Sequence, residues 1–183
     1  QLFLAKIARK EEANFPNATI IEEEVLLPSA TVERAYPQFS PDGKELAFIE
    51  ERNRLMVINL DTKKVRQITD GSTWFSTDGN FDYQWSPDGK WFTLEFIGNR
   101  HDPYSDIGLV SAKGDSPITN LTNSGYMSGS PRWVLDGNAI LFTTERYGMR
   151  AHASWGSQND AMLVFLNQDA FDKFRLSNED YEL

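Results

Sequence analysis

The sequence predicts an all-β fold, a partial β-propeller of four-stranded antiparallel blades amounting to about three blades plus a half blade. Three observations predict it. The stretch Ser40-Pro41-Asp42-Gly43-Lys44 returns unchanged as Ser86-Pro87-Asp88-Gly89-Lys90 and, degraded, as Val134-Leu135-Asp136-Gly137-Asn138. The Asp residues of the three copies stand 46 and 48 residues apart, a period that suits a blade of four short strands better than a helical repeat. Each copy follows an aromatic residue (Phe39, Trp85, Trp133) and precedes an apolar run (Leu46 to Ile49, Trp91 to Phe96, Ala139 to Phe142).

The motif is turn chemistry. Pro presets φ, Asp can accept from the backbone ahead of it, and Gly takes the positive φ that closes a short hairpin. Residues 1–30 read as a half blade, with strands Leu2 to Ile7 and Ile20 to Leu27; the run Glu22-Glu23-Glu24 is a solvated edge. A blade over 35–70 places strands near Tyr36 to Phe39, Glu45 to Glu50, Leu55 to Leu60 and Val65 to Thr69. Its second and third strands are apolar on both faces, as expected of a sheet between two neighbouring sheets. A blade over 83–122 follows, with strands at Tyr83 to Trp85, Trp91 to Ile97, Ile107 to Ser111 and Ile118 to Thr122. Its ending Asn120-Leu121-Thr122 corresponds to Gln67-Ile68-Thr69. The last unit, 131–183, is an incomplete blade with strands near Arg132 and Trp133, Ala139 to Thr144 and Ala161 to Leu166. Its fourth strand is not evident, and Phe171 to Leu183 has the spacing of a short helix or an irregular tail.

With 183 residues the chain can bury a substantial core. Its 27 acidic against 18 basic residues, net charge -9, disfavour nucleic acid as a partner. No apolar run approaches the roughly 20 residues that span a bilayer. The start, Gln1-Leu2-Phe3-Leu4-Ala5, lacks Met and a full signal pattern, so the true beginning is expected upstream. The absence of cysteine excludes disulfides, thiolate metal sites and a cysteine nucleophile.

In an antiparallel blade the first-to-second and third-to-fourth connections share one end, and the remaining loops share the other. The Pro-Asp-Gly turns trim the first end, so every long connection belongs to the second. That long-loop face gathers Trp74, His101, Asp102, Tyr104, Tyr126, Arg146, Arg150, His152 and Trp155, the candidate residues for binding a peptide or protein. Two histidines, His101 and His152, without a third ligand make a poor metal site, so neither metal nor cofactor is expected. Asp78-Gly79-Asn80-Phe81-Asp82 has calcium-loop letters without the spacing and reads as a turn. No Gly-x-Ser-x-Gly elbow or phosphate-binding glycine signature occurs, and no catalytic residue is assigned. Ser154 and Ser157 lie near His152 in a Gly-containing loop, where a fortuitous pairing is the simpler reading. Asn17-Ala18-Thr19 and Asn120-Leu121-Thr122 match the glycosylation acceptor pattern, which matters only in a eukaryotic secretory route.

The repeated Phe/Trp-Ser-Pro-Asp-Gly-Lys, its apolar strand and the closing Ile/Leu-Thr resemble the TolB-like, WD-type propeller repeat across residues 35–144. With Arg146-Tyr147-Gly148-Met149-Arg150, Ala153-Ser154-Trp155-Gly156-Ser157 and Phe165-Leu166-Asn167-Gln168-Asp169, the chain resembles the N-terminal propeller of bacterial tricorn-type serine peptidases. In such proteins, the resemblance implies, a PDZ module and a carboxyl-terminal-processing protease core follow and carry the catalytic Ser. None of that core is present in these residues. The resemblance therefore implies a propeller that gates or docks peptide substrate, in a bacterial periplasm or cell envelope or in the cytoplasm. Six or seven blades are usual in such propellers, so three and a half would leave open blade faces able to self-associate. Two other functions stay open: a TolB-like interaction module of the cell envelope, and a propeller enzyme using His101 or His152 on the long-loop face.

Overall fold

The computed structural model describes residues 2–9, 11–12, 14–28, 31–74, 81–98, 103–149 and 158–183. Among these, four antiparallel sheets form in chain order. A hairpin of β1 (Leu2–Ile7) and β2 (Ile21–Leu27) comes first. The first full blade orders β3 (Arg34–Phe39), β4 (Glu45–Glu50), β5 (Arg54–Asn59) and β6 (Val65–Gln67) side by side. The second does the same with β7 (Tyr83–Trp85), β8 (Trp91–Phe96), β9 (Asp106–Ser111) and β10 (Thr119–Asn120). The third has β11 (Ser128–Val134), β12 (Ala139–Thr144) and β13 (Asp160–Phe165), followed by helices α1 (Gln168–Phe174) and α2 (Asn178–Glu182). The chain is all-β in class and built as a partial propeller.

Strand alternation explains why the middle strands are apolar on both faces. In β4, Leu46 and Phe48 join Leu2, Leu26 and Ile58 in one core, between the hairpin and the first blade. Ala47 and Ile49, their alternates, join Leu55 and Val57 against Phe92, Leu94 and Phe96 of the second blade. A third, smaller core sets Ile107 against Ile140 and Phe142 of the third blade.

The repeated turn does what its letters predict. Ser40 Oγ donates to Asp42 Oδ1 at 2.7 Å and accepts from Glu45 N at 3.0 Å, while Lys44 N donates to Asp42 Oδ1 at 3.1 Å. The second copy repeats these bonds, with Ser86 Oγ to Asp88 Oδ1 at 2.6 Å and Trp91 N to Ser86 Oγ at 3.0 Å. The hydroxyls of Ser40 and Ser86 hold the Asp42 and Asp88 carboxyls below their ordinary range. Gly43 and Gly89 take φ of 70° and 69°. In the degraded copy Val134 replaces the Ser, and a short 3-10 turn over Leu135–Gly137 forms instead, with Leu135 and Asp136 both at positive φ.

The aromatic before each turn stitches blade to blade. Trp85 Nε1 donates to Gln38 O, and Trp133 Nε1 to Gln84 O, each at 3.3 Å. Gln84 Oε1 also accepts from Trp133 N at 2.9 Å. Phe39, the first of the series, has no indole to donate and is 54% exposed. The closing Thr has one job in both full blades: Leu55 N donates to Thr69 Oγ1 at 2.9 Å, and Ile107 N to Thr122 Oγ1 at 3.1 Å.

Several elements differ from the sequence expectation in extent, β6 among them, which ends at Gln67 rather than Thr69. The second blade's fourth strand shrinks to Thr119–Asn120, because Thr122 N and Asn123 N turn back onto Asn120 Oδ1 at 3.1 and 2.8 Å. The third blade's first strand extends to Ser128–Val134 through a bulge at which Ser130 has φ 52°. The tail is helical, with Asn167 and Ser177 capping its two helices through Ala170 N and Asp180 N.

Candidate functional site

On the long-loop end the structure separates the candidate residues. Trp74 packs on the core between the first two blades, its ring 5.7 Å from that of Phe81. Tyr104 is 43% exposed. Tyr126 is partly buried, and its backbone N–H and C=O both meet Ser124 Oγ at 3.3 Å. Arg146 lies 5.2 Å from the ring centre of the exposed Tyr147. His101, Asp102, Arg150, His152 and Trp155 lie outside the described residues, as do Ser154, Ser157 and residues 78–80 of the calcium-like stretch.

The crevice that these loops frame lies between the second and third blades. It has a volume of about 140 Å³, with Leu121, Phe142, Met162 and Val164 as apolar lining, Ser124, Ser128 and Thr144 as hydroxyls, and Arg146 as the cation among the described residues. Its polar side is rigid. The buried Asp106 carboxylate accepts from Thr122 Oγ1 at 2.6 Å, Asn120 Nδ2 at 2.8 Å and Ser124 N at 3.2 Å. Asn120, the Asn of the second acceptor pattern, therefore spends its amide on a structural contact. Ser128 Oγ and Thr144 Oγ1 meet at 3.3 Å. An apolar pocket with a guanidinium at its lip can take a side chain and pair with a carboxylate beside it.

Deeper between the same blades sits a carboxylate that sequence reading passed over. Glu95 of β8 accepts from Ser130 N at 2.6 Å and Asp82 N at 3.1 Å. Burial pushes its carboxyl up, against the pull of those amides, and the charge of Asp82 adds to the rise. Asp82 itself pairs with Arg132 at 3.5 Å. The periodicity signals this site only indirectly: Glu95 occupies the position that Ile49 fills in the first blade.

Larger clefts open at the opposite, trimmed end. One of about 670 Å³ lies beside Trp91, Lys90, Lys113 and Arg66, and one of about 590 Å³ beside Trp91, Trp133, Leu109 and Leu166. The sequence signal was a break in the repeat. The residue after Gly-Lys is Glu45 in the first copy and Trp91 in the second.

Comparison with known proteins agrees with this architecture. Residues 15–97 match the family described as Dipeptidyl peptidase IV (DPP IV) N-terminal region. An uncharacterized peptidase, YuxL, of Bacillus subtilis is 29% identical over 119 residues, covering 63% of this chain and 18% of that protein. TolB from Acinetobacter baumannii superposes with a TM-score of 0.55 at 21% identity, over 83% of this chain and 36% of TolB. The tricorn protease gives 0.58 at 14% identity, over 80% of this chain and 15% of that one. A structure from a study of two prolyl endopeptidases gives 0.57 at 21% identity, over 83% and 24%. The chain thus spans about a fifth of its curated relative and between about a seventh and a third of these structures. What these likenesses share with this chain is the propeller fold.

Proposed function

We propose that this segment of TolB-like propeller repeats is non-catalytic and serves a tricorn-like serine peptidase as a scaffold that docks or gates peptide substrate. The observation that carries the reading is the Arg146 crevice, a largely apolar slot whose described lining includes one cation, at the end of the blades where the long connections gather. Peptidase names recur among the proteins it resembles, and these support the choice of substrate class. In this reading PDZ and protease domains accompany the propeller, open blade faces pair with another copy, and the parent works in the periplasm or cell envelope. The likeness to TolB supports that location, and it also supports a second reading, an interaction module for a protein partner.

The test is to lengthen the chain through its natural downstream sequence and assay both forms on unstructured peptides. Turnover by the long form alone, reduced by Arg146→Glu, is the expected result. Inactivity of both forms would favour the interaction module. Turnover by the 183-residue chain itself would overturn the reading and direct attention to the His101 and His152 loops.

A further inference from the structure

Arg54, Asp106 and Asp160 open the third strands of the three blades, opposite Glu50, Phe96 and Thr144. In the second blade the Asp106 carboxylate ties down the fourth strand, with Asn120 Nδ2 donating to Oδ2 at 2.8 Å and Thr122 Oγ1 to Oδ1 at 2.6 Å. In the first blade Arg54 turns instead to Glu50 and Glu51, and Gln67 stands where the second has Asn120. The Asp thus comes with an Asn across the strand pair. Asp160 repeats the Asp, yet its Oδ2 is buried and has no hydrogen-bond partner among the described residues.

The strand edge beside it is open as well. Among the described residues β13 pairs with β12 alone. In both full blades the next residue of the third strand holds the fourth: Leu55 O accepts from Ile68 N and Ile107 O from Leu121 N, each at 2.8 Å, and the N–H of each meets the closing Thr hydroxyl. Ala161 has that place in β13 and is exposed. A buried carboxylate oxygen without a donor carries a desolvation cost that an incoming amide offsets. A free strand edge takes an extended peptide by main-chain bonds, and side-chain sites along it choose the sequence. We propose that β13 takes its fourth strand from another polypeptide, an antiparallel segment reading Asn-apolar-Thr, with the Asn amide on Asp160 Oδ2 and the Thr hydroxyl between Asp160 and Ala161 N. The occupant is specified by the fourth strand that this chain itself sets against an Asp, Asn120-Leu121-Thr122. This inference rests on the docking reading above and lays the docked segment along β13, whose Met162 and Val164 line the Arg146 crevice.

Fluorescence anisotropy with a labelled peptide copying residues 116–125, beside the same peptide carrying Asn120→Leu, tests it on the 183-residue chain. The expected result is binding of the copied peptide about tenfold or more tighter than of its variant, weakened by a similar factor by Asp160→Ala and separately by Ala161→Pro, which removes an edge donor. Equal affinity for the two peptides, binding indifferent to both substitutions, or no binding up to about 1 mM overturns the inference. Loss of binding when the chain is lengthened through its natural downstream sequence overturns it too, because the strand would then come from the same polypeptide. The Arg146-dependent turnover is read separately, so the docking reading can stand when this inference falls.

Discussion

The two inter-blade seams are built on the same repeat and packed differently. Between the first and second blades, Ile49, Leu55 and Val57 meet Phe92, Leu94 and Phe96, with Trp85 tilted by 42° against Phe92 at 4.1 Å between ring centres. Between the second and third, Ile107 meets Ile140 and Phe142, while the β8 side chains on that side are Thr93 and Glu95. Thr93 Oγ1 donates to Gly108 O at 3.3 Å, and Glu95 takes two backbone amides. The first seam gains its stability from buried apolar area, which needs no partner geometry. The second adds polar groups to a smaller apolar core, and these must keep their bonds, since an unsatisfied buried group costs more than the bond returns. One period can thus serve an all-apolar joint and a mixed one without altering the strand register.

The comparison is broken most severely by Phe92→Ala. Phe92 is fully buried among Tyr83 and Trp85, and its loss should cost about 3–5 kcal/mol in urea unfolding. Phe142→Ala at the other seam should fall at the low end of that range, about 3 kcal/mol, because the crevice beside it already gives the wall room to settle. Thr69→Val leaves the buried Leu55 amide without its hydroxyl acceptor and should cost about 1–3 kcal/mol on the same measurement. Trp85→Phe keeps the ring and removes its bond to Gln38 O, a smaller loss of about 0.5–1.5 kcal/mol.

Acid sharpens the contrast. Glu95 has a folded-state pKa above its unfolded one. Its favourable contribution is complete below the unfolded value and is lost as pH rises through the folded value. Asp42 and Asp88 are depressed, so theirs is present above the unfolded value and is lost as pH falls through the folded one. Melting curves from neutral to acid pH should therefore show Glu95→Gln comparing best with the wild type at neutral pH and falling further behind on acidification, on top of a pH-independent loss because its Nε2 cannot accept from one of the two backbone amides. Ser86→Ala should do the reverse and narrow its deficit as acid removes the Asp88 charge. A Glu95→Gln chain whose deficit or gain is flat with pH would remove the carboxylate from this account.

The parts of the fold legible in the sequence were those written locally. The Ser-Pro-Asp-Gly turns are closed by side chains within five residues of one another, so their letters suffice. The doubly apolar β4 announces a sheet covered on both sides, and that is its environment. What could not be read is decided by distant packing. Trp74, grouped by sequence with the loop residues, sits against Phe81 at the margin of a core whose shape depends on both blades. Glu95 looks like an exposed alternate in a half-buried strand until β11 supplies the amide of Ser130. Trp91 reads as one more strand aromatic, and only its exposure and the clefts on either side set it apart.

The indole stitch has a direction. Each Trp of the series donates backward, to the inner strand of the blade before it, so a blade's donor and its acceptor belong to different neighbours. Opening a seam leaves a carbonyl on the earlier blade and an indole donor on the later one, and water reaches both. The stitch thus gives the array a polarity: each blade offers an acceptor to the next and a donor to the one before.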